Sequence, residues 1–178
     1  MRIQGQTVTL REMEKSDVAN KVKWFNDPEV NKTLFLDEKL DLQKSLEWFN
    51  KSRSDTSRRD FVIETSDGRP IGNISLVHIS DIHKTAEIFI AVGQKKFWGK
   101  GVMYEAEGLL IQWAFDFLKL EKIRADAYLN NIASIITMKK LGFQTEGTLR
   151  KERYQDGLRL DVIRFGLLKE EFLFSSKI

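Results

Sequence analysis

The feature that most narrows what this chain can fold into is a change of hydrophobic period near its middle. From Thr85 to Val92 two sets of residues alternate, Ala86, Ile88, Ile90 and Val92 against Glu87, Phe89 and Ala91, which predicts a strand. After a stretch punctuated by Gly93, Gly99 and Gly101, apolar positions recur at helical spacing: Val102, Ala106, Leu109, Leu110, Trp113, Ala114 and Phe117. A helix that apolar must lie on a sheet, so a strand, a glycine-rich loop and a long helix in this order imply an α/β domain.

The flanking segments complete such a domain. A short strand is expected over Thr7 to Leu10, then a helix capped by Ser16 with Val18, Val22 and Phe25 on one face, discouraged from continuing by Pro28. A second helix follows Asp41, with Leu42, Leu46 and Phe49 on one side. Phe61 to Glu64 and Ile71 to His78 read as a hairpin about Asp67-Gly68, and with Thr85 to Val92 they make an antiparallel meander. Beyond the long helix come a strand at Lys122 to Tyr128, a helix from Ile132 to Leu141 between Asn131 and Gly142, and strands near Phe143 to Leu149 and Leu160 to Leu168. The expected order is β-α-α-β-β-β-α-β-α-β-β, a mixed, mostly antiparallel sheet flanked by about four helices. No linker-like composition and no repeat divides residues 1–178, so one domain is expected.

Composition removes several chemistries. The 178 residues contain no Cys, which excludes disulfides, thiolate metal sites and a cysteine nucleophile. His78 and His83 are the two imidazoles, and no metal is expected. A net charge of +3 suits an anionic ligand without the dense basic stripe of a nucleic-acid binder. The opening MRIQGQTVTLRE lacks a signal-like apolar stretch, and no run approaches the roughly 18 apolar residues of a membrane helix. A cytoplasmic protein is expected, with neither membrane nor nucleic acid as partner.

The stretch Gly93-Gln94-Lys95-Lys96-Phe97-Trp98-Gly99-Lys100-Gly101-Val102-Met103 is where an anion would bind. A helix start leaves amides without partners, its dipole favours negative charge, and glycines admit a phosphate to the backbone. Lys95, Lys96 and Lys100 add charge, although the loop taken alone fits a plain strand-to-helix turn with solvated lysines better. A Walker loop is excluded by five residues between Gly93 and Gly99 and by Gly101 after Lys100. A dinucleotide motif would need glycine at Tyr104.

Trp98-Gly99-Lys100-Gly101-Val102-Met103 resembles the Gln/Arg-x-x-Gly-x-Gly/Ala signature of the GNAT superfamily of acetyl-CoA-dependent N-acetyltransferases. The variant is similar to that of the branch with the ribosomal-protein N-terminal acetyltransferases. That branch also has counterparts of Ala86-Glu87-Ile88, of Asn131-Ile132-Ala133-Ser134, of Lys140-Leu141-Gly142-Phe143 and of Glu146-Gly147, in this order. Trp98 and Met103 depart from the signature, but backbone amides are the expected donors and both substitutions keep them.

The resemblance implies direct attack of an amine on the thioester of acetyl-CoA, with no covalent enzyme intermediate and no metal. It implies a cofactor site at Phe97, Trp98, Gly99, Lys100, Gly101, Val102 and Met103, with the backbone near Ile90 and Val92 and the side chain of Asn131. The Tyr that many members use to protonate the leaving thiolate is replaced by Met138, so Ser134 one turn earlier, or water, is expected there. Glu87 is the first candidate base and Asp126 the second, with His78 and His83 behind them.

The acceptor is left open. Trp24, Asn26, Asp27 and Glu29 form an aromatic and acidic segment suited to a cationic amine, similar to one in acetyltransferases of amino-sugar nucleotides. Arg58-Arg59 and the stretch from Ile82 to Glu87 are instead similar to spermidine acetyltransferases. A polyamine, an amino-sugar nucleotide and a protein N-terminus all remain, and a homodimer is a further expectation. The competing expectation is a non-catalytic acyl-CoA-binding module, motivated by Met138.

Overall fold

A computed structural model describes residues 1–34, 36, 38–155 and 157–175. Among them, eight strands form one sheet: β1 (Arg2–Gln4), β2 (Val8–Glu12), β3 (Arg59–Thr65), β4 (Pro70–Ser80), β5 (Thr85–Val92), β6 (Lys122–Tyr128), β7 (Gln144–Gln155) and β8 (Leu158–Leu168). Their order across the sheet is β1-β2-β3-β4-β5-β6-β8-β7. Neighbours run antiparallel, apart from the parallel pair β5 and β6, which the long helix connects. Five α-helices accompany them, rather than about four: α1 (Val18–Phe25), α2 (Pro28–Asn31), α3 (Leu42–Ser52), α4 (Val102–Phe117) and α5 (Ile132–Leu141). Among the described residues no helix is long and apolar enough to cross a membrane.

Strand alternation divides the apolar residues between the two sheet faces. Ile88 and Ile90 join the main core with Val102, Ala106, Leu110 and Ala114 of α4 and Met138 and Leu141 of α5. Phe89 and Ala91 point the other way and pack with Trp24, Phe25, Val30 and Leu34. Helix α4 is buried over more than the expected face because the chain returns across it. Phe172 meets Phe115 with ring centroids 5.6 Å apart, Phe174 lies 5.6 Å from Tyr104, and the two tail rings stack at 5.9 Å. Leu173 N donates to Leu141 O (3.1 Å), which ties the same tail to the end of α5. Phe117, expected on the buried face, is exposed beyond the reach of this cover.

Several local expectations are corrected. Strand β1 is too short to show a period. Ser16 does not cap α1: it lies in a 3-10 turn, Lys15–Asp17, and Asp17 occupies the cap position. Pro28 opens α2 at its first turn, where a missing N–H is harmless, and Asp27 caps it by accepting from Glu29 N. In α3 it is Ser45 and Phe49 that are buried, while Leu42 is exposed. Strand β7 runs past Leu149 because shifts of register beside β8 absorb residues that break its alternation.

The cap of Asp17 is lost to a buried charge network. Arg11 donates to both Asp17 oxygens (2.9 and 3.0 Å) and to Glu64 (2.8 Å), and Arg2 reaches Glu64 at 2.6 Å. Asp17 and Glu64 are buried, and their carboxylates raise the pKa of Arg11 further. Arg11→Met keeps the apolar stem but leaves Asp17 without its guanidinium. Urea unfolding should show a loss of about 3 kcal/mol, and an unchanged midpoint would show that the network adds no net stability.

Candidate active site

The glycine loop leaves β5 at Val92 and enters α4. Gly99 (φ 70°) and Gly101 (φ 77°) both occupy the left-handed region, which other residues adopt only with strain. A Cβ placed on either would meet nothing within 4 Å, so the space before the loop is open to a ligand. Glu105 N to Gly101 O (3.0 Å) is the first bond of α4, and the amides of Val102, Met103 and Tyr104 precede it without a helical acceptor. Trp98 Nε1 donates to Val92 O (2.7 Å), which pins the loop and engages one backbone group of the segment near Ile90 and Val92 that the resemblance offered to the cofactor arm. The ammonium groups of Lys96 and Lys100 lie 5.2 and 5.9 Å from the Phe97 ring centroid.

Lys95 does not serve the loop. Its Nζ pairs with Asp27 (3.0 Å) and with Glu29, and the ammonium holds the Asp27 carboxyl below its ordinary value. Asn26 exchanges two side-chain bonds with the backbone of Leu40, at 2.7 and 2.8 Å. Trp24 is buried against Gly93, where a Cβ would overlap the indole. The four residues expected to hold the acceptor are thus engaged in structure, and none lines the cleft described below.

Strands β5 and β6 pair only from Thr85–Lys122 to Glu87–Arg124 and then part. The opening frees one edge of β5 from Ile88 onward for an extended ligand arm. Across it, Asn131 caps α5 by accepting from Ser134 N (3.3 Å), and Ser134 is half-buried. Met138 is a core residue, so packing fills the position of the usual Tyr.

Glu87 faces the opposite side, in a cleft of about 970 Å³ between α1, α3 and the sheet. Its Oε2 lies 3.4 Å from Nδ1 of the exposed His78. Asp126 is bound in a fork by Arg164 (3.1 and 2.8 Å), which leaves Glu87 the more available carboxylate. Asn73 Oδ1, also in this cleft, is buried without a hydrogen-bond partner among the described residues. Phe25, Trp48 and Phe89 supply the aromatic lining of the cleft. Lys21 Nζ sits 3.5 Å from the Trp48 ring centroid and 5.5 Å from that of Phe25. Sequence reasoning missed Lys21 and Trp48; the readable signal was the i, i+4 spacing of Lys21 and Phe25 on α1.

Residues 7–144 match the model of the acetyltransferase (GNAT) domain family. The chain belongs to the GNAT acetyltransferase family. Its GNAT relatives include an N-acetyltransferase of Bacillus licheniformis, p20, 31% identical over 94% of this chain and 96% of that protein. Spermidine N(1)-acetyltransferase of Escherichia coli is 29% identical over 97% of this chain and 92% of the relative. Among GNAT structures, spermidine N-acetyltransferase of Vibrio cholerae in complex with CoA and spermine superimposes with a TM-score of 0.89 at 27% identity, covering 94% of this chain and 99% of that one. The chain is therefore a GNAT-fold N-acetyltransferase, as the resemblance of its motifs implies.

Burial lowers the pKa of Lys21 from 10.5 to about 8; Asp60 opposes the shift and Arg58 adds to it. Below about pH 8 the amine is charged in both the folded and unfolded states, and folding bears the whole cost of burying it. Between about 8 and 10.5 the unfolded chain binds more protons, so stability rises with pH. Lys21→Met should therefore raise the melting temperature at pH 7, and parent and variant should converge as pH climbs through that window. A constant difference across pH would contradict a buried ammonium.

Proposed function

We propose that residues 1–178 act as one N-acetyltransferase domain that passes an acetyl group from acetyl-CoA to a primary amine bound in the cleft beside Glu87. The observation that carries this reading is the pairing of two open features on β5: a glycine loop with unpartnered amides at its end, and the parting from β6 along its edge. The open space before Gly99 and Gly101 fits a pyrophosphate, and the freed strand edge fits an amide-bearing arm. Acetyl-CoA supplies the acetyl group as a thioester with a thiol leaving group.

The chain's own residues do the rest. Amides from Gly99 to Tyr104 hold the phosphates, with Lys100 adding charge and Phe97, Trp98 and Met103 shaping the loop. The backbone of Ile90, near Val92, and the side chain of Asn131 border the arm. Glu87 accepts the proton of the acceptor ammonium, directly or through one water, so that a neutral amine attacks. Ser134 Oγ offers a proton at the sulfur end in place of the Tyr that Met138 displaces. Motif likeness to the ribosomal N-terminal acetyltransferases favours a peptide amine, whereas the spermidine-named relatives favour a polyamine.

Release of free thiol from acetyl-CoA in the presence of a panel of primary amines tests the transfer. CoA binding without release from any amine would favour the non-catalytic module instead.

Two substitutions separate the site's halves. Gly101→Val strains a left-handed position and fills the space in front of the amides, so CoA affinity should fall about 10-fold or more with the fold kept. An unchanged CoA dissociation constant in the folded variant would remove the loop from the site. Glu87→Gln keeps the size of the side chain and loses its basic oxygen. The rate should drop most at neutral pH and recover partly as pH rises, because more of the amine arrives deprotonated. A pH–rate profile parallel to the parent would reject the base.

A further inference from the structure

Resting on that reading, the charges inside the acceptor cleft narrow the acceptor's chemistry. Two cations share one aromatic ring: Lys21 Nζ lies 3.5 Å and Arg58 Cζ 4.8 Å from the centroid of Trp48. Asp60 is committed to Arg58, which grips both its oxygens at 2.6 and 2.7 Å, and it also accepts from Ser75 Oγ at 2.7 Å. Lys21 makes no hydrogen bond or ion pair among the described residues. The charges that act on it are Asp60 and Arg58, which oppose one another. Two cations against one carboxylate leave a positive charge on the inner wall of the cleft, on an amine mostly removed from water. A buried ammonium without a counter-ion is costly, and an anion docking there would relieve it.

The other half of the cleft has the opposite need. Glu87 presents a carboxylate, and Asn73 Oδ1 is a buried acceptor without a donor among the described residues. These groups take N–H donors, whereas Lys21 takes an acceptor oxygen. A second cation at the Trp48 face would meet Lys21 already in the place where aromatic rings attract it.

We propose that the acceptor is a small amine carrying a carboxylate or phosphate group, with the anion held by Lys21 beside Trp48 and Arg58 and the amine directed to Glu87 and Asn73. The cleft selects against a polyamine of the same length.

The test compares acceptors matched in length. Acetylation of 5-aminopentanoate, 3-aminopropyl phosphate and 1,5-diaminopentane is followed by thiol release, in the parent and in Lys21→Met. At least one of the two acids should exceed the diamine in kcat/KM by about 10-fold or more, the size expected when attraction replaces repulsion at a partly buried charge. The better acid identifies the anion. Lys21→Met should reduce that ratio about 10-fold, and Lys21→Arg should retain most of it. A diamine used as well as either acid, or a ratio unmoved by Lys21→Met, overturns the proposal while the acetyltransferase reading stands. If no amine is acetylated, calorimetry with the CoA-bound protein decides. Binding of an acid that Lys21→Met abolishes upholds the anion site although transfer to these amines fails, and absence of such binding overturns the anion site.

Discussion

The interaction on which the rest of the site depends is one that stops. Parallel pairing of β5 with β6 ends after Glu87–Arg124, and the strands separate although each continues. Unpaired strand edges are normally covered or shortened, because free amides and carbonyls invite another chain. Here the unpaired edge sits inside the molecule, between the loop at one end and α5 at the other. Each strand keeps its outer partner, β4 beside β5 and β8 beside β6, so the opening does not unravel the sheet.

Charge pairing sorts the polar residues around this opening into fixed and available groups. Lys95, Asp27 and Glu29 satisfy one another and fasten the start of α2 to the loop. Arg164 and Asp126 join β8 to β6, and Arg58 and Asp60 brace β3 below the cleft. Glu87, Lys21 and Asn73 are less exposed groups of the cleft outside these pairs, beside the exposed Glu38, Lys39, Lys44 and Glu152, and they do not neutralise each other at contact distance. The pattern agrees with a site in which most charges position backbone and a few face the reactants.

How much of this was legible in the sequence depends on whether the signal was local. Strands β5 and β6 and helix α5 are read off within their own segments, because alternation and caps at Asn131 and Gly142 are local. The loop is legible for the same reason, since positive φ is a property of Gly99 and Gly101 themselves. The cleft beside Glu87 is not. Trp24 and Asp27 have suitable chemistry, yet their partners, Gly93 and Lys95, lie far along the chain and claim them. Trp48 is far from Lys21 along the chain, and only the packing of α1 against α3 brings its ring over the amine.

The returning tail has a consequence of its own. Phe172 and Phe174 lie on α4, and Leu173 bonds to the last residue of α5. These two helices carry the proposed phosphate contacts and Ser134 at their N-terminal ends. The tail therefore runs along α4 from Phe115 near its end to Tyr104 in its first turn while holding the end of α5, so that a change in its packing would reach the phosphate loop from behind.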